Sequence, residues 1–464
     1  MEVIRAGMDF SEKKFIYFIG IGGISMSGIA ELLLNKGFKV SGSDMNESPI
    51  TNTLKELGVE VFIGQSADNV PLDADYVVYT AAIKQDNPEL IAAKKLNLKL
   101  VSRAEFLGLI MKSYDECLCV AGTHGKTTTT GMISEIALAA SKDPTISIGG
   151  MLPSIGGNFK AGSDALFISE ACEYTNSFLS FFPTVGVILN IEADHLDFFS
   201  GIEDIRDSFH KFAALIPENG TLVINGDMDC LPLICRDIPA RIVTFGQDSK
   251  NDYFIDNVKF DTQARTTFSL HKKGGETEVL TLSVPGLHNA LNAAAAYAVA
   301  EVLCISPDTI RESLMNYHGT ARRFQIKGET SSGAIVIDDY AHHPTEIKAT
   351  LATANKVDHN TIWCVFQPHT YSRTKALMNE FADVLKSADR VILPDIYAAR
   401  ETDTLGVSSE ILAREINKKG GRAYYIPKFG DIKKFLRQNC INQDLLITMG
   451  AGDVYKIGDD MISN

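Results

Sequence analysis

The residues of this chain best suited to chemistry gather in a few short segments. Residues 121–130 read AGTHGKTTTT, where an apolar strand-like run, ECLCVAG, breaks into a glycine turn and then into the threonines of a helix start. Backbone N–H groups of such a turn and helix N-terminus face phosphate oxygens. Only Thr123 and His124 separate Gly122 from Gly125, so the turn is a shortened form of the nucleotide-phosphate loop, whose usual pattern has four residues between its glycines. Lys126 would neutralise the β- and γ-phosphates, the Thr127 hydroxyl would ligate magnesium, and Thr128 continues the helix start beside the phosphates. A Gly/Thr-rich helix cap that binds nothing is the competing reading. The strand before the turn and the helix after it weigh against that reading.

A nucleotide-bound magnesium needs hard oxygen ligands and sometimes an imidazole. ISEACEY offers Glu170 and Glu173, and NIEADHLDFF offers Asp194, His195 and Asp197, each group directly after a strand-like run. In a parallel sheet the C-terminal strand ends share one crevice, so these residues could converge on the phosphate turn, the competing reading being solvated loop carboxylates.

A second phosphate cradle lies earlier, in FIGIGGISMSG at 18–28. Gly20 and Gly22 match the first two glycines of GxGxxG, Gly23 follows, and Ser25 stands where the third glycine belongs. Asp44 ends the next strand at roughly the distance expected of a ribose ligand. This keeps a nucleotide reading and weakens a dinucleotide one. Ser25 and Ser27 either give hydroxyls to phosphate oxygens or cap the helix.

Positioning these loops requires strands and helices in alternation. KFIYFIG, FKVSGSD, VEVF and DYVVYT read as short buried strands, with ISMSGIAELLLNKG and PELIAAKKLN as helices between them. Such alternation predicts a parallel sheet with helical crossovers. KSYDE at 112–116 reads as a linker. A second α/β series runs through ECLCVAG, ALFISE, TVGVILN, TLVIN and RIVTF. YFIDNVKF, TTFSLHKK and EVLTLSV predict an added antiparallel ribbon with a Gly-Gly turn. LHNALNAAAAYAVAEVL is a strong alanine-rich helix. After YHGTARRF a third α/β series follows: AIVIDD, IWCVFQ, RVILPD and DLLITMG.

At 464 residues the chain exceeds one compact core and calls for about three domains. A net charge of −14 argues against a general nucleic-acid or membrane-surface binder, since both need a basic face. The eight cysteines form no CxxC pair and read as buried thiols of a reducing cytosol. No window is long and apolar enough to span a bilayer, and MEVIRAGMDF lacks the apolar core of a signal peptide. These readings predict a cytoplasmic protein.

Taken together, GTHGKTTTT, SEACEYTNSF, NIEADHLDFF, HNALNAAAA, RRF, DDYAHHPTE and FQPHTYSRT resemble, in order and spacing, the Mur ligase family, the ATP-dependent amide-bond-forming enzymes of peptidoglycan precursor synthesis. The resemblance covers nearly the whole chain. It implies an α/β protein of three domains: a Rossmann-like UDP-sugar-binding domain at 1–112, a central P-loop ATPase domain with the added β-ribbon at 113–319, and a Rossmann-like amino-acid-binding domain at 320–464. GIGGISMSGIAELL, DDYAHHPTE and FQPHTYSRT point to the branch that joins L-alanine to the carboxylate of UDP-N-acetylmuramate through an acyl phosphate. ATP and Mg2+ would be the cofactors, and the molecule a monomer or homodimer.

Carried over residue by residue, Gly20, Gly22, Gly23, Ser25 and Asp44 would hold the UDP-sugar. Gly122, Thr123, His124, Gly125, Lys126, Thr127 and Thr128 would hold the ATP phosphates. Glu170 joins Thr127 at a first magnesium, and His195 belongs to a second. His288 and Asn292 match the adenine contact, while Arg323, Asp339 and His342 would reach ATP when the domains close. His369 and Arg373 resemble the lining of the amino-acid site. Asn289 and Asn292 could instead decorate an exposed helix face, one of Arg322 and Arg323 could be a solvated neighbour, and His343 before Pro344 could serve only a turn. Within the family, a ligase adding a murein peptide to UDP-N-acetylmuramate is the nearest rival. Outside it stand a nicotinamide-dependent oxidoreductase, which the first loop alone suggests, and a non-catalytic nucleotide sensor.

Overall fold

The computed structural model describes residues 14–80, 82–196, 198–261, 265–399 and 401–462, so the candidate Asp197 lies outside the described residues. The chain divides into two compact units. One comprises Met1–Glu192, Ile202–Phe245 and Ala295–Ile310, and the other Ala193–Gly201, Gly246–Ala294 and Arg311–Asn464.

The first unit begins with β1 (Phe15–Ile19), β2 (Lys39–Asp44), β3 (Glu60–Ile63), β4 (Tyr76–Tyr79) and β5 (Leu100–Ser102), in the order β3-β2-β1-β4-β5 with every pair parallel. β1 is buried at all positions, as a strand covered on both faces must be. The order reverses beside β1, so the crevice of this sheet opens where the first glycine loop begins. Helix Ile24–Asn35 follows the loop and buries Met26, Ile29, Ala30, Leu32 and Leu33. Gly28 on that helix is there for closeness, because a Cβ at this position would lie 2.4 Å from the Phe159 ring.

The same unit carries β6 (Glu116–Ala121), β7 (Thr145–Leu152), β8 (Gly157–Lys160), β9 (Leu166–Glu170), β10 (Val185–Ile188), β11 (Thr221–Asn225) and β12 (Arg241–Gly246). Their order is β12-β11-β10-β6-β9-β7-β8, parallel except for the β7–β8 hairpin. Residues 112–116 are no free linker. Tyr114 is buried edge-on to Phe167, with ring centroids 5.0 Å apart, its hydroxyl lies 3.0 Å from that of Thr145, and Glu116 already starts β6.

In the second unit β13 (Tyr253–Phe260), β14 (Thr266–Lys272) and β15 (Thr277–Leu282) form the expected antiparallel ribbon, turning at Gly274 and Gly275. β16 (Gln325–Glu329), β17 (Ile335–Asp339), β18 (Ile362–Phe366), β19 (Arg390–Leu393), β20 (Ala423–Tyr425) and β21 (Leu445–Met449) make a sheet of order β16-β17-β21-β18-β19-β20. It is parallel apart from the β16–β17 pair. Ile337, Ile347, Leu351, Phe366, Phe381, Leu412 and Met449 belong to the apolar core on one side of this sheet. Trp363, Ile392, Leu436 and Ile457 belong to the core on the other. An α/β fold with mostly parallel sheets is therefore what the chain adopts.

Candidate active site

In the first unit, β6 delivers the chain into the turn 122–125, and helix Lys126–Ala139 leaves it. Gly125 is the N-cap with φ +84°, a left-handed conformation that glycine adopts without a Cβ penalty. Gly122 has φ +142°, and a Cβ there would lie 3.0 Å from that of Leu189. Thr127, Thr128, Thr129 and Thr130 are all buried, so the first turn of the helix is fixed by packing as well as by hydrogen bonds.

Lys126 folds back over the turn. Its Nζ donates to the carbonyls of Gly122 and Thr123 and pairs with Glu173 Oε2 at 3.0 Å. Burial works against the lysine's charge, but Glu173 outweighs it and the pKa is raised. Lys126 is therefore cationic at neutral pH and curls around the space before the helix N-terminus. Glu170, at the end of β9, instead accepts the Gly149 N–H at 2.6 Å. Of the two carboxylates in ISEACEY, Glu173 is thus the lysine's partner, and Glu170 is held at a strand end by one backbone donor.

The turn is also gripped by residues that the sequence reading did not single out. Asn190 Oδ1 accepts the His124 N–H at 2.7 Å, and its Nδ2 donates to the His124 carbonyl at 3.0 Å. Glu192 N donates to Thr123 Oγ1 at 2.9 Å, and the Glu192 carboxylate lies 3.5 Å from His124 Nε2. Asn190 stands directly after the strand TVGVIL, and that position was the available signal.

At the first glycine loop Gly20 has φ +85°, and its N–H and that of Ile21 both donate to the Ser43 carbonyl, at 2.8 and 2.9 Å. Asp44 Oδ2 accepts the Gly22 N–H at 3.0 Å, so this carboxylate organises the loop itself. A Cβ on Gly22 would lie 2.8 Å from that same oxygen. Gly23 is the helix N-cap and neither serine caps it: Ser27 Oγ donates to the Ile24 carbonyl at 3.0 Å, and Ser25 Oγ accepts from Arg103 at 3.0 Å. The capping alternative for Ser25 and Ser27 is thereby removed.

In the second unit Asp194, His195, His342, His369 and Arg373 come together. Asp194 Oδ1 accepts from Arg373 Nε at 3.3 Å and Nη2 at 3.1 Å, and Arg373 Nη1 lies 3.2 Å from His369 Nδ1. Burial works against the Asp194 charge, but Arg373, His195 and His342 outweigh it and hold the carboxyl well below its usual range. The Asp194 carboxylate also accepts the His195 N–H at 2.7 Å, and His195 sits at φ +54°. Such a conformation is uncommon for a residue with a side chain and persists where its surroundings impose it. The His369 ring stacks on Tyr397 at 5.5 Å and meets His342 edge-on at 6.0 Å.

His342 Nδ1 lies 3.0 Å from the Tyr340 carbonyl and 3.4 Å from Glu346 Oε2. Burial pushes its pKa down to about 4, against the pull of Glu346, so it is neutral at pH 7. Arg323 lies over the Tyr340 ring, 5.2 Å from its centroid, and 3.9 Å from Glu346. Asp339, at the end of β17, accepts from Phe324 N, Ala341 N and Thr350 Oγ1 at 2.8–3.0 Å. Burial pushes its pKa up to about 6.

Asn289 and Asn292 are buried, with Asn289 Nδ2 bonded to the Pro285 carbonyl and Asn292 Nδ2 lying 3.3 Å from Asn289 Oδ1. They do not decorate an exposed helix face; His288 beside them is exposed. Arg322 is no solvated neighbour either: it binds Asp338 at 3.0 Å and the carbonyls of Gly450 and Gly452. His343 caps helix Pro344–Ala354, accepting the Thr345 N–H.

Three family models match in succession: "Mur ligase family, catalytic domain" over 15–115, "Mur ligase middle domain" over 120–300, and "Mur ligase, glutamate ligase domain" over 322–452. The chain is 55% identical to the UDP-N-acetylmuramate–L-alanine ligase of Lachnospira eligens, over 98% of this chain and 99% of the relative. It is 53% identical to the enzyme of the same name from Agathobacter rectalis, over 98% and 99%. Among solved structures, the UDP-N-acetylmuramate–alanine ligase of Thermotoga maritima superposes with a TM-score of 0.81 at 29% identity, covering 97% of this chain and 98% of that one. A murein peptide ligase from Psychrobacter arcticus shares the fold, with a TM-score of 0.70 at 24% identity over 97% and 98%. Matched by all three family models in order and by relatives of up to 55% identity over nearly its full length, this chain belongs to the Mur ligase family.

Proposed function

We propose that the chain is an ATP-dependent acid–amino-acid ligase that joins L-alanine to the carboxylate of UDP-N-acetylmuramate, releasing ADP and phosphate, in peptidoglycan precursor synthesis. The observation that carries this reading is the 55% identity, over nearly the full length of both chains, to a ligase of that name. Relatives at 48–55% identity bear the alanine-ligase name, whereas the murein peptide ligase is 24% identical, which favours free L-alanine as the amine.

The chemistry follows from the leaving group. A carboxylate does not accept an amine at neutral pH, because hydroxide leaves poorly, and phosphorylation by ATP makes an acyl phosphate whose leaving group is good. The residues assigned to phosphoryl transfer are those of the turn, Gly122, Thr123, His124, Gly125, Lys126, Thr127 and Thr128. Lys126 would exchange its carbonyl contacts for phosphate oxygens while Glu173 keeps it charged and aimed. Hydrogen bonds of this charge-assisted kind stabilise charge that develops in the transition state.

Thr127 and Glu170 are assigned to one magnesium and His195 to a second. Their donors, two oxygens and an imidazole, suit a hard divalent cation. Magnesium, when bound, neutralises and orients the phosphates. His288 and Asn292 are assigned to adenine, and Arg323, Asp339 and His342 to the nucleotide from the C-terminal segment. His369 and Arg373 are assigned to the amino acid. There the guanidinium would hold the carboxylate of L-alanine, and His369 is assigned to receive a proton from its ammonium group. Gly20, Gly22, Gly23, Ser25 and Asp44 are assigned to the UDP-sugar. The domain division proposed is 1–112, 113–319 and 320–464. Among the described residues no helix is long and apolar enough to cross a membrane, and we place the enzyme in the cytoplasm, where ATP and UDP-sugars are available.

The test is phosphate release with UDP-N-acetylmuramate and ATP against L-alanine, glycine, L-serine and an L-Ala-γ-D-Glu-containing tripeptide. Release is expected with L-alanine at the highest kcat/KM. Release with the tripeptide alone would assign the rival activity, and no release with any acceptor would remove the ligase reading.

A further inference from the structure

Arg103 is a half-buried cation with no assigned task. It opens helix Arg103–Met111, whose N-terminus is already closed by the Ser102–Glu105 capping box, so the helix asks nothing of the arginine side chain. Its Nη1 donates to Ser25 Oγ at 3.0 Å, and among the described residues it makes no ion pair with a carboxylate. Burial works against its charge and lowers its pKa, with the Cys172 thiol pulling the other way. An arginine nevertheless stays protonated across the physiological range. A guanidinium kept partly from water without a counter-ion is costly, and that cost is recovered when an anion arrives.

The first glycine loop has the complementary shortage. One of its amides, Gly22 N–H, is taken by Asp44, which also brings a negative charge to the rim of the loop. The second loop carries Lys126 to balance the phosphates it would hold, whereas the segment 18–28 contains no lysine or arginine. Arg103 reaches this loop from 78 residues away in sequence and touches it at Ser25. We propose that Arg103 is the counter-charge for the diphosphate of the UDP-sugar in the first glycine loop, with Ser25 fixing the guanidinium in place. This rests on the reading that the first loop holds that diphosphate.

The experiment is isothermal titration of UDP, uridine and ATP into wild type, Arg103→Met, Arg103→Lys and Gly22→Val. Replacing a charged hydrogen-bond donor by methionine should weaken UDP roughly 10–100-fold. Uridine, which lacks the diphosphate, and ATP should stay within about twofold of wild type, and Arg103→Lys should recover part of the loss because the charge remains. UDP affinity unchanged in Arg103→Met would overturn the proposal. So would an equal loss for uridine, which marks a packing role, or a loss confined to ATP, which would assign the arginine to the other phosphates. Gly22→Val separates the two readings. If it abolishes UDP binding while Arg103→Met leaves it intact, only the arginine's role fails. If it leaves UDP binding intact, the loop reading fails and the proposal with it. Should Arg103→Met melt below the assay temperature, Arg103→Lys carries the same test with an expected loss of roughly 3–10-fold.

Discussion

Lys126 carries the heaviest assignment of any single residue. Its ammonium is charged, half-buried and held by Glu173, and the two backbone carbonyls it contacts are replaceable by phosphate oxygens. Lys126→Ala should lower phosphate release by roughly 10²–10³-fold or more, as expected when one stabilising donor of the transition state is lost; turnover within threefold of wild type would contradict the assignment. Asp339 and His342 allow a prediction from pH. Asp339 rises from 3.8 to about 6 in the fold, so the penalty for burying its charge is relieved as pH falls through 6. His342 falls from 6.5 to about 4, so the unfolded chain gains its proton first, and stability is lost as pH drops from 6.5 toward 4. Each shift corresponds to about 3 kcal/mol with opposite sign, and in the wild type the two largely cancel between pH 6 and 4. Arg323 and Glu346 face Asp339, and Glu346, Arg373 and Asp194 face His342. Denaturant melts of Asp339→Asn should therefore lose up to about 3 kcal/mol more than wild type between pH 6.5 and 4. Parallel curves for the two proteins would show that the pair does not titrate in this way.

At the scale of elements, the helix that carries Arg373 is held at its start by its N-cap Thr370, whose hydroxyl accepts the Arg373 N–H, and by one distant carboxylate. Glu401 accepts the N–H groups of Tyr371 and Ser372, at 2.5 and 3.1 Å, and the Ser372 hydroxyl, capping helix Tyr371–Ala376. The preceding Thr370 sits at φ +67°, an unfavourable conformation held by its neighbours. Glu401→Gln keeps an acceptor but removes the charge, and should raise KM for L-alanine about 5–20-fold with the KM for ATP unchanged, since capping and charge-assisted bonds are each worth about 1–2 kcal/mol. An unchanged KM for L-alanine would remove Glu401 from the positioning of Arg373. Elements were also where the sequence was most and least legible. β1, β6, β9, β10, β17, β18 and β21 are largely apolar runs that give way to glycine, acidic or amide residues, and they stand where the patterns put them. β5, β16 and β20 did not stand out, because Leu100–Ser102 and Ala423–Tyr425 are three residues long and Gln325–Glu329 is polar at an edge. The glycine turns and the carboxylates after strands were readable from type and spacing, whereas His288, Asn292, Arg323, Asp339, His342, His369 and Arg373 came from the family resemblance. Their partners were legible from neither: Asp44 on Gly22, Asn190 on His124 and Asp194 on Arg373 are tertiary contacts that no local pattern encodes.

For the whole molecule, three family segments follow one another along a chain whose sheets are mostly parallel, and the proposed function assigns a different part of the reaction to the strand-end loops of each sheet. Within the first unit, the packing between segments depends on glycines at close approach. A Cβ at Gly108 would lie 2.0 Å from the Ser180 carbonyl oxygen, and helix Arg103–Met111 would have to move to admit it. Gly108→Ala should lower stability by about 1–3 kcal/mol, as overpacking does, and a melting temperature equal to wild type would contradict this.

The central claim is that the muramate carboxylate is activated by ATP and then captured by L-alanine. UDP-N-acetylmuramate labelled with 18O in both carboxylate oxygens tests it most directly, by mass spectrometry of the products formed with ATP and L-alanine. The account predicts one heavy oxygen in inorganic phosphate and one retained in the new amide. Unlabelled phosphate formed alongside the new amide, with the displaced heavy oxygen found in water instead, would contradict it.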